Sequence, residues 1–332
     1  MDKVSSQQRD SAMTSIVEIH DLVKRFAPTP EKPEGTLAVA GISMKVEEGE
    51  IFSFLGPNGA GKTTTISMMS GLLAPTSGDV SIGGFSITKQ PLEVKRLIGV
   101  VPQEIALYPE LSARRNIEFF GRLYGLEGKE LSARCDEVLD FVGLRDRQKE
   151  RIDTFSGGMK RRVNIAVGLM HRPKLVFMDE PTVGVDPQSR RNILDAVKLL
   201  NEQGMTVLYT THYMEEAEEL SNRVAIIDHG KIIGIGKQIE LLQQIGEKDR
   251  LLIKLNPETT AQAAEVAQKV KGVDKVNIED GKLEILSSAG RRTLPLIITE
   301  LDDAGYPPLS IEIVEPNLET VFLHLTGRAL RD

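Results

Sequence analysis

The segment "GPNGAGKT", Gly56 to Thr63, restricts the possible folds of this chain more than any other. It matches G-x-x-x-x-G-K-[ST] and lies between an apolar run, "IFSFLG", and a stretch of helical spacing, "KTTTISMMSGLL". A strand, a glycine turn and a helix in that order gather backbone N–H groups around an anion, and the helix N-terminus adds partial positive charge. Gly56, Pro57, Asn58, Gly59, Ala60 and Gly61 therefore read as a phosphate cradle. Lys62 is expected to reach the β- and γ-phosphates of a nucleotide and Thr63 to offer its hydroxyl to Mg²⁺; Thr64 is the candidate for the α-phosphate. The bland alternative, a glycine turn with a surface lysine, does not explain the flanking strand and helix.

A phosphate loop needs an acidic partner, and "KLVFMDEP" supplies one. A continuous apolar run reads as a central strand covered on both faces, and Asp179 and Glu180 stand at its end, where open α/β sheets bind ligands. Asp179 is expected to hold Mg²⁺, and Glu180 to orient or deprotonate the attacking water. "RLIGVVPQE" reads as another buried strand ending in Gln103, which is placed to meet the metal and that water, and His212 after "TVLYTT" is placed to donate to the γ-phosphate. Taken singly, such strand-end residues are more often structural; the order of the motifs favours the functional reading.

A second segment, "DTFSGGMKRRVNIAVGL", holds neither a nucleophile beside a base nor a cluster of metal ligands. Ser156, Gly157 and Gly158 nevertheless present bare backbone amides and a hydroxyl at a helix start, which suits a phosphate. One chain with one nucleotide loop has no evident need for a second.

The 332 residues suffice for one large domain and a small one. The net charge of -7 argues against a dedicated nucleic-acid binder, and the lone Cys135 against an internal disulfide framework. Leu131, Val138 and Leu139 around it suggest a small core residue on a helix. Residues 1–15 are polar and read as a disordered leader rather than a signal peptide. No run approaches ~18 consecutive apolar residues, so a membrane role must come through a partner. Between Leu111 and Gly168 the pattern is helical. Strands and helices alternate over residues 16–240, and a βαββαβ order over 241–332 predicts a ferredoxin-like α+β module ending in the helix "NLETVFLHLTG".

From about Ile16 to Lys237 the chain resembles an ABC transporter ATPase. The phosphate loop, Gln103, "FSGGM", "DEP", "VGVD" and "TTH" occur in that family's order and approximate spacing. The resemblance implies a P-loop NTPase fold with a helical subdomain, ATP and Mg²⁺ as cofactors, and a head-to-tail homodimer. In such a dimer Ser156, Gly157 and Gly158 cap the γ-phosphate of ATP held by the opposite subunit, and Asp186 of "VGVD" lies across the same seam. Phe155 and Met159 depart from the commonest signature, leucine-serine-glycine-glycine-glutamine, and leave its Ser-Gly-Gly centre intact. Phe26 stands where the family stacks an aromatic ring on adenine; a packed strand residue is the other reading of it.

"LSARRNIEFFGRLYGL", "EPTVGVDPQSRR" and "EPNLETVFLHLTGRALRD" resemble the daunorubicin-resistance-like group, whose ATPases drive ABC-2 type exporters. The resemblance implies a separate ABC-2 type permease, contacted through "YPELSARRNIEFF", a place at the cytoplasmic face of the cell membrane, and no nucleic-acid partner. A C-terminal module of this group often helps hold the two ATPases together. Two other readings share the cassette. The ATPase of an importer would carry a nearly identical cassette. A soluble ABC ATPase acting on DNA or ribosomes would bring a long coiled-coil insertion or a second cassette, and neither is visible.

Overall fold

Runs such as "IFSFL" and "LVFMD" are apolar at successive positions because both faces of their strands are covered. The computed structural model describes residues 14–30, 33–245, 249–279, 282–287, 290–314 and 316–327. The chain divides into two compact units, with the break after Gly236.

The first unit opens with β1 (Ser15–Phe26) and β2 (Thr36–Glu47), followed by β3 (Ile51–Leu55) and α1 (Lys62–Met69). Then come β4 (Ser77–Ile82), β5 (Phe85–Ser86), α2 (Pro91–Leu97) and β6 (Ile98–Val101). The helices α3 (Ala113–Leu123), α4 (Gly128–Phe141) and α5 (Gly157–Gly168) precede β7 (Leu175–Asp179) and α6 (Pro187–Glu202). The unit closes with β8 (Thr206–Thr211), α7 (Met214–Leu220), β9 (Arg223–Asp228) and β10 (Lys231–Gly236). Its central sheet has the order β10-β9-β3-β8-β7-β6, parallel except at β10; a second, antiparallel sheet runs β2-β1-β4-β5.

Alternate residues of the central strands serve two cores. Phe52, Phe54, Phe177 and Leu208 pack with Val17, Leu22 and Val80 of the antiparallel sheet. Ile51, Val176, Met178, Val207 and Tyr209 pack with the helical side, including Ile117, Leu139, Ile165 and Ile193. Cys135 is fully buried in this second core, and burial pushes its thiol up to about 11.

Three boundaries differ from expectation. Ser15 pairs with Glu47 and begins β1, so it is not leader; residues 1–13 lie outside the described residues. Arg96 and Leu97, read as strand, finish the short helix α2, whose Pro91 is suited to a helix start. The second unit begins at Lys237 rather than 241, because α8 (Gln238–Ile245) packs on α11 (Leu318–Thr326) and buries Leu241.

That unit continues as β11 (Asp249–Lys254), α9 (Thr260–Gln268), β12 (Lys275–Glu279), β13 (Lys282–Ser287), α10 (Gly290–Asp303) and β14 (Ser310–Val314). Its sheet order, β12-β13-β11-β14, is antiparallel throughout, which is the expected βαββαβ arrangement. Leu251, Ile253, Leu283 and Ile285 meet Ala263, Ala267, Ile297 and Leu301 in a core of its own.

Candidate active site

Because β6, β7, β3 and β8 are parallel, the residues that follow them collect at one sheet edge. Gly56 follows β3, Asp179 ends β7, His212 follows β8, and Gln103 lies two residues beyond β6 rather than at its end. The cradle turns into α1 at Gly61, whose φ of 108° is left-handed, and a Cβ there would sit 2.5 Å from the Ala38 carbonyl oxygen. Only glycine meets both demands.

Lys62 is 4% exposed, and its Nζ donates to the carbonyls of Gly56 (2.7 Å) and Pro57 (3.1 Å). It also pairs with Glu180 Oε1 at 2.9 Å. Glu180 occupies left-handed backbone, φ 44°, a rare conformation for a non-glycine residue, and its N–H donates to Thr210 Oγ1 (2.9 Å). Gln103 Nε2 donates to Glu180 Oε2 at 3.4 Å, and His212 Nδ1 lies 3.4 Å from Oε1. Lys62, Gln103 and His212 thus converge on one buried carboxylate.

Asp179 faces a different set. Thr210 Oγ1 donates to its Oδ1 at 2.6 Å, and the Thr63 hydroxyl is a further donor. Burial raises the Asp179 carboxyl above its ordinary value in spite of these bonds. Thr63 itself is exposed and Thr64 half-buried. Thr210 therefore supports both acids, a role suggested by nothing in "TTH" except adjacency. Arg161 was equally hidden: buried on α5, it donates to the carbonyls of Pro102 (2.7 Å) and Gln103 (2.6 Å) and so holds the Gln103 loop.

The second phosphate-type loop is built otherwise. Ser156 caps α5, its Oγ accepting from the Met159 N–H at 3.3 Å, and Ser156 and Gly157 are exposed. Gly158 is buried against α6: a Cβ there would lie 1.9 Å from Ser189 Oγ. The same Ser189 hydroxyl donates to Asp186 Oδ2 (2.6 Å) and its N–H to Oδ1 (2.9 Å), so Asp186 is the N-cap of α6. These bonds hold the Asp186 carboxyl below its ordinary value. Among the described residues, no hydrogen bond or ion pair joins Ser156–Gly158 to the cradle at 56–64. Phe26, at the end of β1, is 41% exposed with Lys24 Nζ 5.4 Å from its ring centre.

Elsewhere on the helical side, Tyr108 packs edge-on against Phe119 (5.0 Å) and Phe119 against Phe120 (5.3 Å), with Tyr108, Phe119 and Leu123 open to solvent. No helix among the described residues is long and apolar enough to cross a membrane.

Residues 39–183 match the family model for the ABC transporter. The chain is 49% identical over 297 residues to the linearmycin resistance ATP-binding protein LnrL of Bacillus subtilis (strain 168), covering 89% of this chain and 95% of that one. It is 35% identical to the daunorubicin/doxorubicin resistance ATP-binding protein DrrA of Streptomyces peucetius, covering 96% and 94%. Among solved structures, the dimeric post-hydrolysis state of the ATP-binding cassette MJ0796 bound to ADP and Pi superposes with a TM-score of 0.61 at 28% identity, over 67% of this chain and 98% of that one. The chain belongs to the ABC transporter family, as an ATP-binding subunit of the exporter type that hydrolyses ATP to drive transport.

Proposed function

We propose that two copies of this chain close head to tail around two ATP molecules and so power an ABC-2 type permease from the cytoplasmic face of the membrane. The observation that carries this reading is the division of labour between the two loops. The cradle's Lys62 is buried, charged and held by Gly56, Pro57 and Glu180, whereas Ser156 and Gly157 are exposed, uncharged and, among the described residues, make no hydrogen bond or ion pair to the cradle. A serine hydroxyl and bare amides facing outward complete a phosphate site only if a second molecule brings the phosphate.

Within one site, Lys62 exchanges the carbonyls of Gly56 and Pro57 and the Glu180 carboxylate for the β- and γ-phosphates. Glu180, released from that pair, holds the attacking water and takes its proton. Gln103 orients the same water, His212 donates to the γ-phosphate, and Thr64 reaches the α-phosphate. The partner subunit's Ser156, Gly157 and Gly158 cap the γ-phosphate, and the partner subunit's Asp186 lines the seam. Phe26 stacks on adenine, for which its exposed ring is free.

Among the described residues no three His, Cys, Asp or Glu cluster to hold a metal. Mg²⁺ does not require such a cluster, because it takes one or two carboxylates and completes its shell with phosphates and water. Asp179 and the Thr63 hydroxyl that bonds to it suit that demand, with Gln103 at the margin. The ion, when bound, supplies positive charge to the transferring phosphoryl group.

The exposed Tyr108–Phe119 patch offers an apolar seat for a permease segment, and the C-terminal unit is assigned to holding the ATPases together. The resistance proteins among its relatives favour a drug, antibiotic or lipid-like cargo. Glu180→Gln keeps the shape and removes the base. Hydrolysis should fall about 100- to 10,000-fold while ATP binding persists and a nucleotide-locked dimer accumulates on size-exclusion chromatography. Wild-type turnover in this variant would remove Glu180 from its role. Deletion of the C-terminal unit from Lys237 onward should leave nucleotide binding intact and weaken association of the two ATPases or of the permease; unchanged association and transport would refute the assignment of that unit.

A further inference from the structure

Behind His212 lies a buried carboxylate for which the phosphate chemistry has no use. Glu216, in the first turn of α7, is 2% exposed. Its Oε2 accepts from Tyr209 Oη and from Thr211 Oγ1, each at 2.9 Å. Its Oε1 lies 3.5 Å from Arg190 Nε, an ion pair without a hydrogen bond. Removing a carboxylate from water costs several kcal/mol, roughly, unless partners offset it. These partners come from two elements other than its own helix: β8 and α6.

Arg190 reaches in two directions. Its guanidinium lies over the Tyr213 ring, 4.2 Å from the centre, and that ring meets the His212 imidazole with centres 4.2 Å apart. The Tyr213 N–H donates to Thr211 Oγ1 at 2.9 Å, so the hydroxyl that donates to Glu216 also fixes the Tyr213 backbone. On its own helix, the Arg190 N–H donates to the carbonyl of Asp186, the N-cap of α6, and the preceding Ser189 abuts Gly158.

A histidine ring is usually oriented by a hydrogen bond at the nitrogen that does not react. His212 Nδ1 has no such bond although it is buried. Besides the 3.4 Å approach of Nδ1 to Glu180 Oε1, the ring is placed by packing, and Tyr213 is the aromatic face against it.

We propose that Arg190 is a positioning residue: anchored by Glu216, it clamps Tyr213 and thereby places His212, and it links that placement to the helix that carries Asp186. This rests on the reading of His212 as the donor to the γ-phosphate. A shift of α6 when a partner engages the seam would move the clamp, so closure in trans and the set of His212 in cis would be mechanically joined. A merely structural network would stabilise the fold without favouring His212.

A double-mutant cycle on the full-length protein separates the two. Steady-state ATP hydrolysis is measured for Arg190→Met, His212→Ala and the pair together. Arg190→Met is expected to lower kcat about tenfold with KM for ATP within about twofold, and to add no further loss once His212 is alanine. Arg190→Lys, which keeps a cation over the Tyr213 ring, should recover most of the rate. Should Arg190→Met not fold, Tyr213→Leu removes the clamped ring instead and must show the same non-additivity. Losses that multiply, or a change confined to KM, would overturn the inference while leaving the Glu180→Gln result untouched. A His212→Ala protein with full activity would instead strike at the underlying role of His212, and the relay with it.

Discussion

The two candidate phosphate loops of this chain are opposites. The loop at 56–63 is electrically engaged from within, its buried Lys62 held by two carbonyls and by Glu180 at 2.9 Å. The loop at 156–158 opens to solvent and carries no charged side chain, and its rigidity comes from behind, where Gly158 rests on Ser189 and Ser189 on Asp186. A loop of the first kind grips a phosphate with its own chemistry. One of the second kind can only complete a grip begun elsewhere. In the head-to-tail pair proposed above, the contrast makes a ligand-dependent interface: neither loop suffices, and the triphosphate is the part they share.

The largest expected effect breaks the first loop. Lys62→Ala should weaken ATP binding about 10- to 100-fold, from the ~1.5–3 kcal/mol of a hydrogen bond to a charged group, as read by equilibrium nucleotide titration; unchanged affinity would deny the cradle its role. Mixing that variant with Ser156→Arg sharpens the comparison. In a head-to-tail pair one of the two composite sites then has both loops intact, so nucleotide-driven dimerisation absent from either variant alone should partly return. Complete inertness of the mixture would contradict assembly in trans.

A smaller effect tests the backing of the second loop. Gly158→Ala places a Cβ 1.9 Å from Ser189 Oγ and 2.3 Å from Ser189 Cβ. Overpacking of this kind costs about 1–3 kcal/mol, visible as a lowered melting temperature. Ser189→Ala should not restore stability, because the offending Cβ remains, whereas Ser189→Gly should restore part of it. Rescue by alanine would show that the contact is not the one described.

The smallest effect is electrostatic. The Ser189 hydroxyl and N–H hold the Asp186 carboxyl below its ordinary value. A depressed folded value means that the stabilising cap is present above the unfolded pKa and is lost as pH falls through the folded one. By NMR, Asp186 should titrate at lower pH than an ordinary aspartate and move up in Ser189→Ala. An Asp186 that titrates normally in both proteins would disconnect it from Ser189.

Much of the catalytic unit was legible because its signals are local. Continuous apolar runs mark β3, β7 and β8, and glycines mark the turn that only they can make, as the 108° φ at Gly61 illustrates. Boundaries were less so: α2 is short, and β6 stops at Val101, two residues before Gln103, because Pro102 has no N–H to give the sheet. The Glu180 turn, the support of two acids by Thr210 and the hold of Arg161 on the Gln103 loop left no trace in spacing.

Residue order alone determined the nucleotide chemistry of this protein and its sheet edge, because a strand, a turn and a helix that are adjacent in the chain build the cradle. Only the tertiary structure decided which side chains share a carboxylate. Lys62, Gln103 and His212 reach Glu180 from elements far apart in sequence, and Arg190 of α6 comes to Glu216 beside Tyr209 and Thr211 of the adjacent β8. The cost of burying an unpaired charge compels such meetings without naming the partners in advance, and folding alone selects them.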